Sequence, residues 1–268
     1  MITSFRMYEA VPSAAAAWRA LFGRVFEELD LDIRIIEHRF PQPIDALWAE
    51  PELCCAFMCG WPFARSTAGM QAIATPVPSP PRYAGLARYC SDFVARTESG
   101  FERLEDAFGY RFGWMAENSN SGFNAPRAHL AGFANAGRPA LFAQSVGPLG
   151  NPARTLEALH ARSVDVVAVD GFYLDLVRHL DPGRLENLAV VASTPWMPIP
   201  LLVAAPAIDP TVVARLRDYL LQVHDMPGYA ALLEPVLLSR FTAPDVVLYQ
   251  VTEGLRERAE RAGYAAIR

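Results

Sequence analysis

The sequence predicts an α/β protein whose sheets are mixed but mostly parallel and flanked by helices. Short β-branched or apolar runs alternate along the chain with amphipathic stretches, the pattern of βα units that bury a sheet between helical layers. Hydrophobic residues make up 52% and charged residues 20% of the 268, which supplies packed cores and gives no compositional case for disorder. The length admits two compact domains or one large one, at roughly 100 to 200 residues each.

Residues 5–8 read as a strand. From 13 to 29, Ala14, Trp18, Leu21, Phe22, Val25, Phe26 and Leu29 recur at helical spacing, and Ser13 is the expected N-cap. Residues 33–37 are a strand, 43–48 a short helix, and 54–58 and 71–76 strands. Three prolines between 77 and 81 are expected to end regular structure there. Beyond them, strands are expected at 89–96, 111–115, 140–146, 164–170, 188–192 and 201–204. Helices are expected at 101–108, 127–136, 154–161, 172–180, 210–223, 227–233 and 244–262.

Twenty-four Arg and Lys against 29 Asp and Glu give a net charge of −5. Phosphate-binding surfaces need clustered cations, so the scattered arginines argue against nucleic acid. The first thirty residues contain no basic stretch followed by an apolar core and a small-residue cleavage site. The longest uncharged apolar stretches, 53–64 and 195–208, are shorter than the roughly 20 residues of a membrane span. A cytoplasmic protein without membrane insertion is expected from the sequence as it stands, and a periplasmic one if the natural chain is longer. Cys54, Cys55, Cys59 and Cys90 have the spacing of neither a zinc site nor a disulfide framework and read as small buried residues. The five histidines show no metal-ligand spacing, and no catalytic motif is visible. No metal, cofactor or catalytic residue is therefore expected.

Ligands of open α/β sheets sit beyond the carboxyl ends of strands, and three such ends have unusual chemistry. Residues 117–122, Glu-Asn-Ser-Asn-Ser-Gly, lie between a strand and a helix. Small hydroxyl and amide side chains with free backbone N–H groups form an anion cradle, or serve as an ordinary helix cap. Residues 164–170 form a nearly all-apolar strand that delivers Asp170 to the sheet rim, where it accepts from a ligand or caps the next helix. Residues 57–63 make an aromatic turn that lines a pocket or fills the core.

In order along the chain, five segments resemble the phosphate/phosphite/phosphonate substrate-binding proteins of ABC importers, in particular chains that begin directly at the first strand. They are Met1-Ile2-Thr3-Ser4-Phe5-Arg6-Met7-Tyr8, the Cys59-Gly60-Trp61-Pro62-Phe63 turn, Asn118 to Gly122 with Ala125-Pro126, Leu156-Glu157-Ala158-Leu159 leading to Asp170, and Ser193-Thr194-Pro195-Trp196-Met197-Pro198-Ile199-Pro200. The resemblance implies a two-lobed type II periplasmic-binding-protein fold with a ligand cleft between lobes, the first lobe comprising 1–89 and 193–268 and the second 90–192. It implies that Tyr8, Gly60 and Trp61 face the ligand from the first lobe. Ser119, Asn120 and Ser121 would hold the oxyanion, and Asp170 would stand at the family's acidic position. Gly150-Asn151-Pro152 stands where many relatives carry Gly-small-His, so a family histidine able to donate to the anion is missing beside Asn151, and Asn120 replaces the more usual Thr or Gln. The implied function is binding of a small polar or anionic ligand, with an ABC transporter permease as partner if the protein is exported. An enzyme or a ligand sensor on the same scaffold is the alternative.

Overall fold

In the computed structural model, which describes residues 1–66, 69–135 and 137–268, the chain divides into two units. Met1–Arg88, His179–Asp181 and Pro198–Leu248 form the first, and Tyr89–Arg178, Pro182–Met197 and Tyr249–Arg268 the second. The division expected at the carboxyl end differs: 193–197 and 249–268 belong to the second unit. The tail is fastened there by hydrogen bonds from Leu141 N–H to the Arg268 carbonyl (2.6 Å) and from Arg127 Nη1 to the Ala265 carbonyl (2.7 Å), and it buries Leu255, Ala259, Tyr264 and Ile267.

The first unit holds a six-stranded sheet in the order Leu238–Thr242, Gln71–Pro78, Leu201–Ala204, Leu53–Met58, Ile2–Ser4, Arg34–Ile35. Ile2–Ser4 pairs in parallel with both neighbours, and the remaining pairings are antiparallel. Leu53–Met58 is buried at every residue, as its unbroken apolar run requires of a strand covered on both faces. The helix Pro12–Glu28 packs Trp18 and Phe22 against Phe5, with Phe5 and Phe22 ring centroids 4.3 Å apart.

Three expectations in this unit are corrected. The first strand is Ile2–Ser4, and Arg6–Tyr8 is a tight helical turn; the apolar character of 5–8 reports Phe5 and Tyr8 turning into the core. Ser13 does not cap its helix. Pro12 opens it, after an extended Val11 with no side-chain cap, because proline has no N–H to satisfy and its φ is already helical. Gln71–Pro78 extends past its expected end at Pro76 and takes in Pro78, the first of the three prolines expected to break regular structure. Leu201–Ala204 pairs only with Gln71 to Ala74, so Pro76 and Pro78 lie where the strand has a single neighbour, Leu238–Thr242, the edge position that tolerates a missing N–H.

The second unit holds a five-stranded sheet in the order Leu188–Ser193, Ser91–Arg96, Val166–Asp170, Arg111–Gly113, Gln144–Val146. The first two pairings are antiparallel and the last two parallel. Both sheets are thus mixed, each with a parallel half. A separate two-stranded pair joins Arg88–Tyr89 to Met197–Pro198. The helix expected at 101–108 is a single turn, Leu104–Ala107, because the Asp106 carboxylate accepts the N–H groups of Glu102 (3.0 Å) and Arg103 (2.9 Å) and closes the chain locally. The helix expected at 127–136 starts earlier: a wide helical turn, Asn120–Asn124, runs into Ala125–Leu130, and residue 136 lies outside the described residues. At the start of the parallel strands, Asp165 accepts from Arg111 Nε (2.9 Å) and Nη2 (2.9 Å) and from Arg96 Nη2 (2.8 Å).

Candidate functional site

In the second unit the strands Arg111–Gly113, Gln144–Val146 and Val166–Asp170 run parallel, so their carboxyl ends share one sheet edge. Each leads into a helical start: the Asn120–Asn124 turn, Pro152–His160 and Gly171–Leu180. Ser119, Asn120, Ser121, Asn151 and Asp170 are therefore brought to the same edge by topology. The first unit repeats the arrangement, its parallel strands Ile2–Ser4 and Leu53–Met58 leading to Tyr8 and to Gly60–Arg65.

Backbone contacts set the shape of the second unit's edge. Met115 N–H donates to the Gly122 carbonyl (3.1 Å), Gly150 N–H to the Met115 carbonyl (2.8 Å), and Leu149 N–H to the Trp114 carbonyl (3.0 Å). A Cβ on Gly122 would stand 2.4 Å from Met115 Cβ, and one on Gly147 2.5 Å from the Trp114 ring, so glycine is required at both positions by close approach.

The polar side chains here are committed to different degrees. Ser119 Oγ accepts from Gly122 N–H (2.9 Å), which makes Ser119 the cap of the turn. The Asn120 amide donates to Tyr89 Oη (2.9 Å) and meets Met197 Sδ (3.5 Å), while its oxygen accepts from Asn124 Nδ2 (3.1 Å). Asn151 Oδ1 accepts from Arg154 N–H (2.9 Å), and Asp170 Oδ1 from the N–H groups of Phe172 (2.8 Å) and Tyr173 (3.1 Å), so both cap the helices that follow them. Ser121 stands apart. It is buried, and among the described residues its hydroxyl forms no hydrogen bond. The backbone N–H groups of Asn120 and Ser121 also lack an acceptor among the described residues, as the first N–H groups of a helical segment do. These groups and the aligned peptide dipoles behind them favour an anion.

In the first unit, Tyr8 is fully buried, its ring edge-on to Phe57 at 5.0 Å and its carbonyl accepting from Trp18 Nε1 (3.0 Å). Gly60 and Trp61 open a short helix, with the Arg65 guanidinium 5.3 Å from the Trp61 ring. Next to Tyr8, burial pushes the Glu9 carboxyl above its ordinary pKa, Arg19 and Arg39 opposing; Glu9 Oε1 is buried without a partner.

Sequence reasoning missed the layer beneath the turn: Tyr89, Asn124, Arg127, Met197 and Thr252. Asn124 donates to the Thr252 carbonyl (2.8 Å), and Arg127 Nη2 to Asn124 Oδ1 (3.1 Å). Burial holds the Arg127 pKa below its ordinary value. The one available signal was a second asparagine four residues after Asn120, which puts the two side chains on one helical face. The four cysteines are buried and unbridged. Among the described residues no three His, Cys, Asp or Glu side chains cluster so as to hold a metal, and no helix is long and apolar enough to cross a membrane.

Residues 10–249 match the model of the family described as ABC transporter, phosphonate, periplasmic substrate-binding protein. This chain belongs to that family. A solved structure of a binding-protein component of an ABC phosphonate transporter from Pseudomonas aeruginosa superposes with a TM-score of 0.82 at 17% identity, covering 98% of this chain and 87% of the other. A Prochlorococcus marinus protein in complex with methylphosphonate gives 0.78 at 16% identity, with 97% and 98% covered. A Xanthomonas citri protein bound to ATP gives 0.65 at 17% identity, with 98% of each chain covered. A comparison with curated protein sequences finds no match. The fold of this phosphonate-binding family member is that of the type II periplasmic binding proteins, and the family is one of transporter binding proteins.

Proposed function

We propose that this protein is the solute-binding component of an ABC importer and that the turn headed by Ser119 takes a small phosphate- or phosphonate-like oxyanion. The observation that carries the reading is Ser121: a serine in a buried position whose hydroxyl forms no hydrogen bond among the described residues, next to backbone N–H groups without acceptors. Ser119 shapes the turn and Asn120 offers its N–H while its side chain faces inward. Asn151 and Asp170 hold the neighbouring helix starts. On the family resemblance, Tyr8, Gly60 and Trp61 are the first unit's contributors. In this reading the protein binds its ligand without transforming it, passes it to a permease and works in the periplasm, in keeping with a family described as ABC transporter, phosphonate, periplasmic substrate-binding protein.

Isothermal titration with phosphate, phosphite and methylphosphonate tests this. At least one should bind, and Ser121→Ala should weaken it by about 1.5–3 kcal/mol, the worth of a hydrogen bond to a charged group, or roughly ten- to a hundredfold. Flat titrations for all three anions, or an unchanged affinity in Ser121→Ala, would overturn the oxyanion site.

A further inference from the structure

Apart from the excursion at His179–Asp181, the chain passes between its two units three times, after Arg88, Met197 and Leu248. Tyr89 is the first residue beyond the first passage, Met197 the last before the second, and Tyr249 the first beyond the third. The side chain of Asn120 touches two of these residues directly, Tyr89 Oη at 2.9 Å and Met197 Sδ at 3.5 Å. It reaches the third through Asn124, whose amide donates to Asn120 Oδ1 and to the Thr252 carbonyl (2.8 Å), while Thr252 Oγ1 donates to the Tyr249 carbonyl (2.7 Å). An asparagine amide has two donors and one carbonyl acceptor. Both donors and the acceptor of Asn120 are used in this way, and both asparagines are fully buried.

We infer that Asn120 and Asn124 form a relay which ties the anion-binding turn to all three passages of the chain. The inference rests on the proposed oxyanion site, because an anion held by the Asn120 and Ser121 N–H groups pulls on the residue whose side chain gathers the passages. Asn120 is in this sense a positioning residue. It couples occupancy of the turn to the segments at which the chain passes from one unit to the other, and a hydrogen-bonded network with discrete partners is suited to that coupling. An asparagine that only filled space would need no connection to three segments that lie far apart in sequence.

Segment-resolved amide hydrogen exchange on the full chain tests the relay, since exchange reads local opening directly. Without ligand, Asn120→Ala should speed exchange at 88–91 and 195–198 tenfold or more while leaving 166–170 as in the wild type. Asn124→Ala should speed 249–253 alone. Tyr89→Phe removes one acceptor with little change of shape, and it carries the test at 88–91 if Asn120→Ala does not fold. Saturating inorganic phosphate should slow exchange in the wild type at 119–123 and at all three passages, and in Asn124→Ala the slowing at 249–253 should disappear. A uniform rise across the second unit in the variants would overturn the relay, and so would phosphate protection of 119–123 that leaves the passages unchanged. If phosphate protects nothing in the wild type, the oxyanion reading fails for phosphate, and the ligand-free pattern still decides the relay.

Discussion

At the first unit's edge, Tyr8 lies against Phe57 and Trp61 beneath Arg65. At the second unit's edge, Ser119, Asn151 and Asp170 accept from backbone N–H groups, and the Asn120 side chain bonds Tyr89 and Asn124. Both edges arise from the same device, parallel strands that end at helical starts. The first is held by dispersion and buried aromatic area, the second by directional bonds. In a hydrogen-bonded edge each donor can be followed to its acceptor, so a hydroxyl left over, as at Ser121, stands out. An aromatic edge offers no such accounting.

The comparison breaks most readily at Phe57. Phe57→Ala removes the ring shared by Phe5, Tyr8 and Trp18 and should cost the first unit about 3–5 kcal/mol. Urea unfolding followed separately by probes in each unit should show the loss in the first alone, and an equal shift in both would mean that the edges do not stand independently.

Asp165 sharpens it from the far end of the second unit's parallel strands. Hydrogen bonds from Arg111 above all, then Arg96, hold its carboxyl down at about pKa 2. The folded state thus binds its proton more weakly than the unfolded state. The stability it contributes is complete above the ordinary carboxylate range near pH 4 and fades as pH falls through about 2. With solvent screening at the half-exposed Arg111 allowed for, Asp165→Asn should cost about 1–2 kcal/mol at neutral pH. It should also flatten the acid limb of the stability profile between roughly pH 4 and 2, as chemical unfolding at a series of pH values would show. A parallel acid limb in wild type and variant would sink the assignment.

Two caps give the smallest effects and the cleanest contrast. Asn151→Ala should cost about 1 kcal/mol, because Arg154 N–H loses its acceptor. Ser13→Ala should change stability by less than about 0.5 kcal/mol, since that exposed serine caps nothing. A large loss at Ser13 would show that the serine contributes through something other than a cap.

The strand ending at Asp170 and the polar loop ahead of the Asn120–Asn124 turn were legible because each declares itself locally, the first as an unbroken apolar run into an acid and the second as hydroxyl and amide residues ahead of a helix. The pairing of Pro76 and Pro78 was not, since whether a proline breaks a strand depends on which neighbours it has, and those come from 201–204 and 238–242. Phe101 to Phe108 carried helical apolar spacing, yet Asp106 closed a tighter turn on its own backbone. The layer beneath the Asn120–Asn124 turn joins residues 89, 120, 197 and 252, a pattern with no sequence period. That the final residues join the second unit was equally hidden, because it follows from where the Arg127 and Leu141 partners lie and not from any property of the tail itself.

The return of the tail also fixes when the protein can become itself. Translation proceeds at about 5–20 residues per second, so Thr252 and Ala265 leave the ribosome roughly ten to thirty seconds after Ser91 opens the second unit's sheet. Until then Asn124 and Arg127 lack the carbonyls that hold them. The first unit waits likewise for Leu238–Thr242. Neither half can be finished as a nascent fragment, and a chain shortened by its last twenty residues would lose the support of the Asn120–Asn124 turn while keeping every residue of the turn itself.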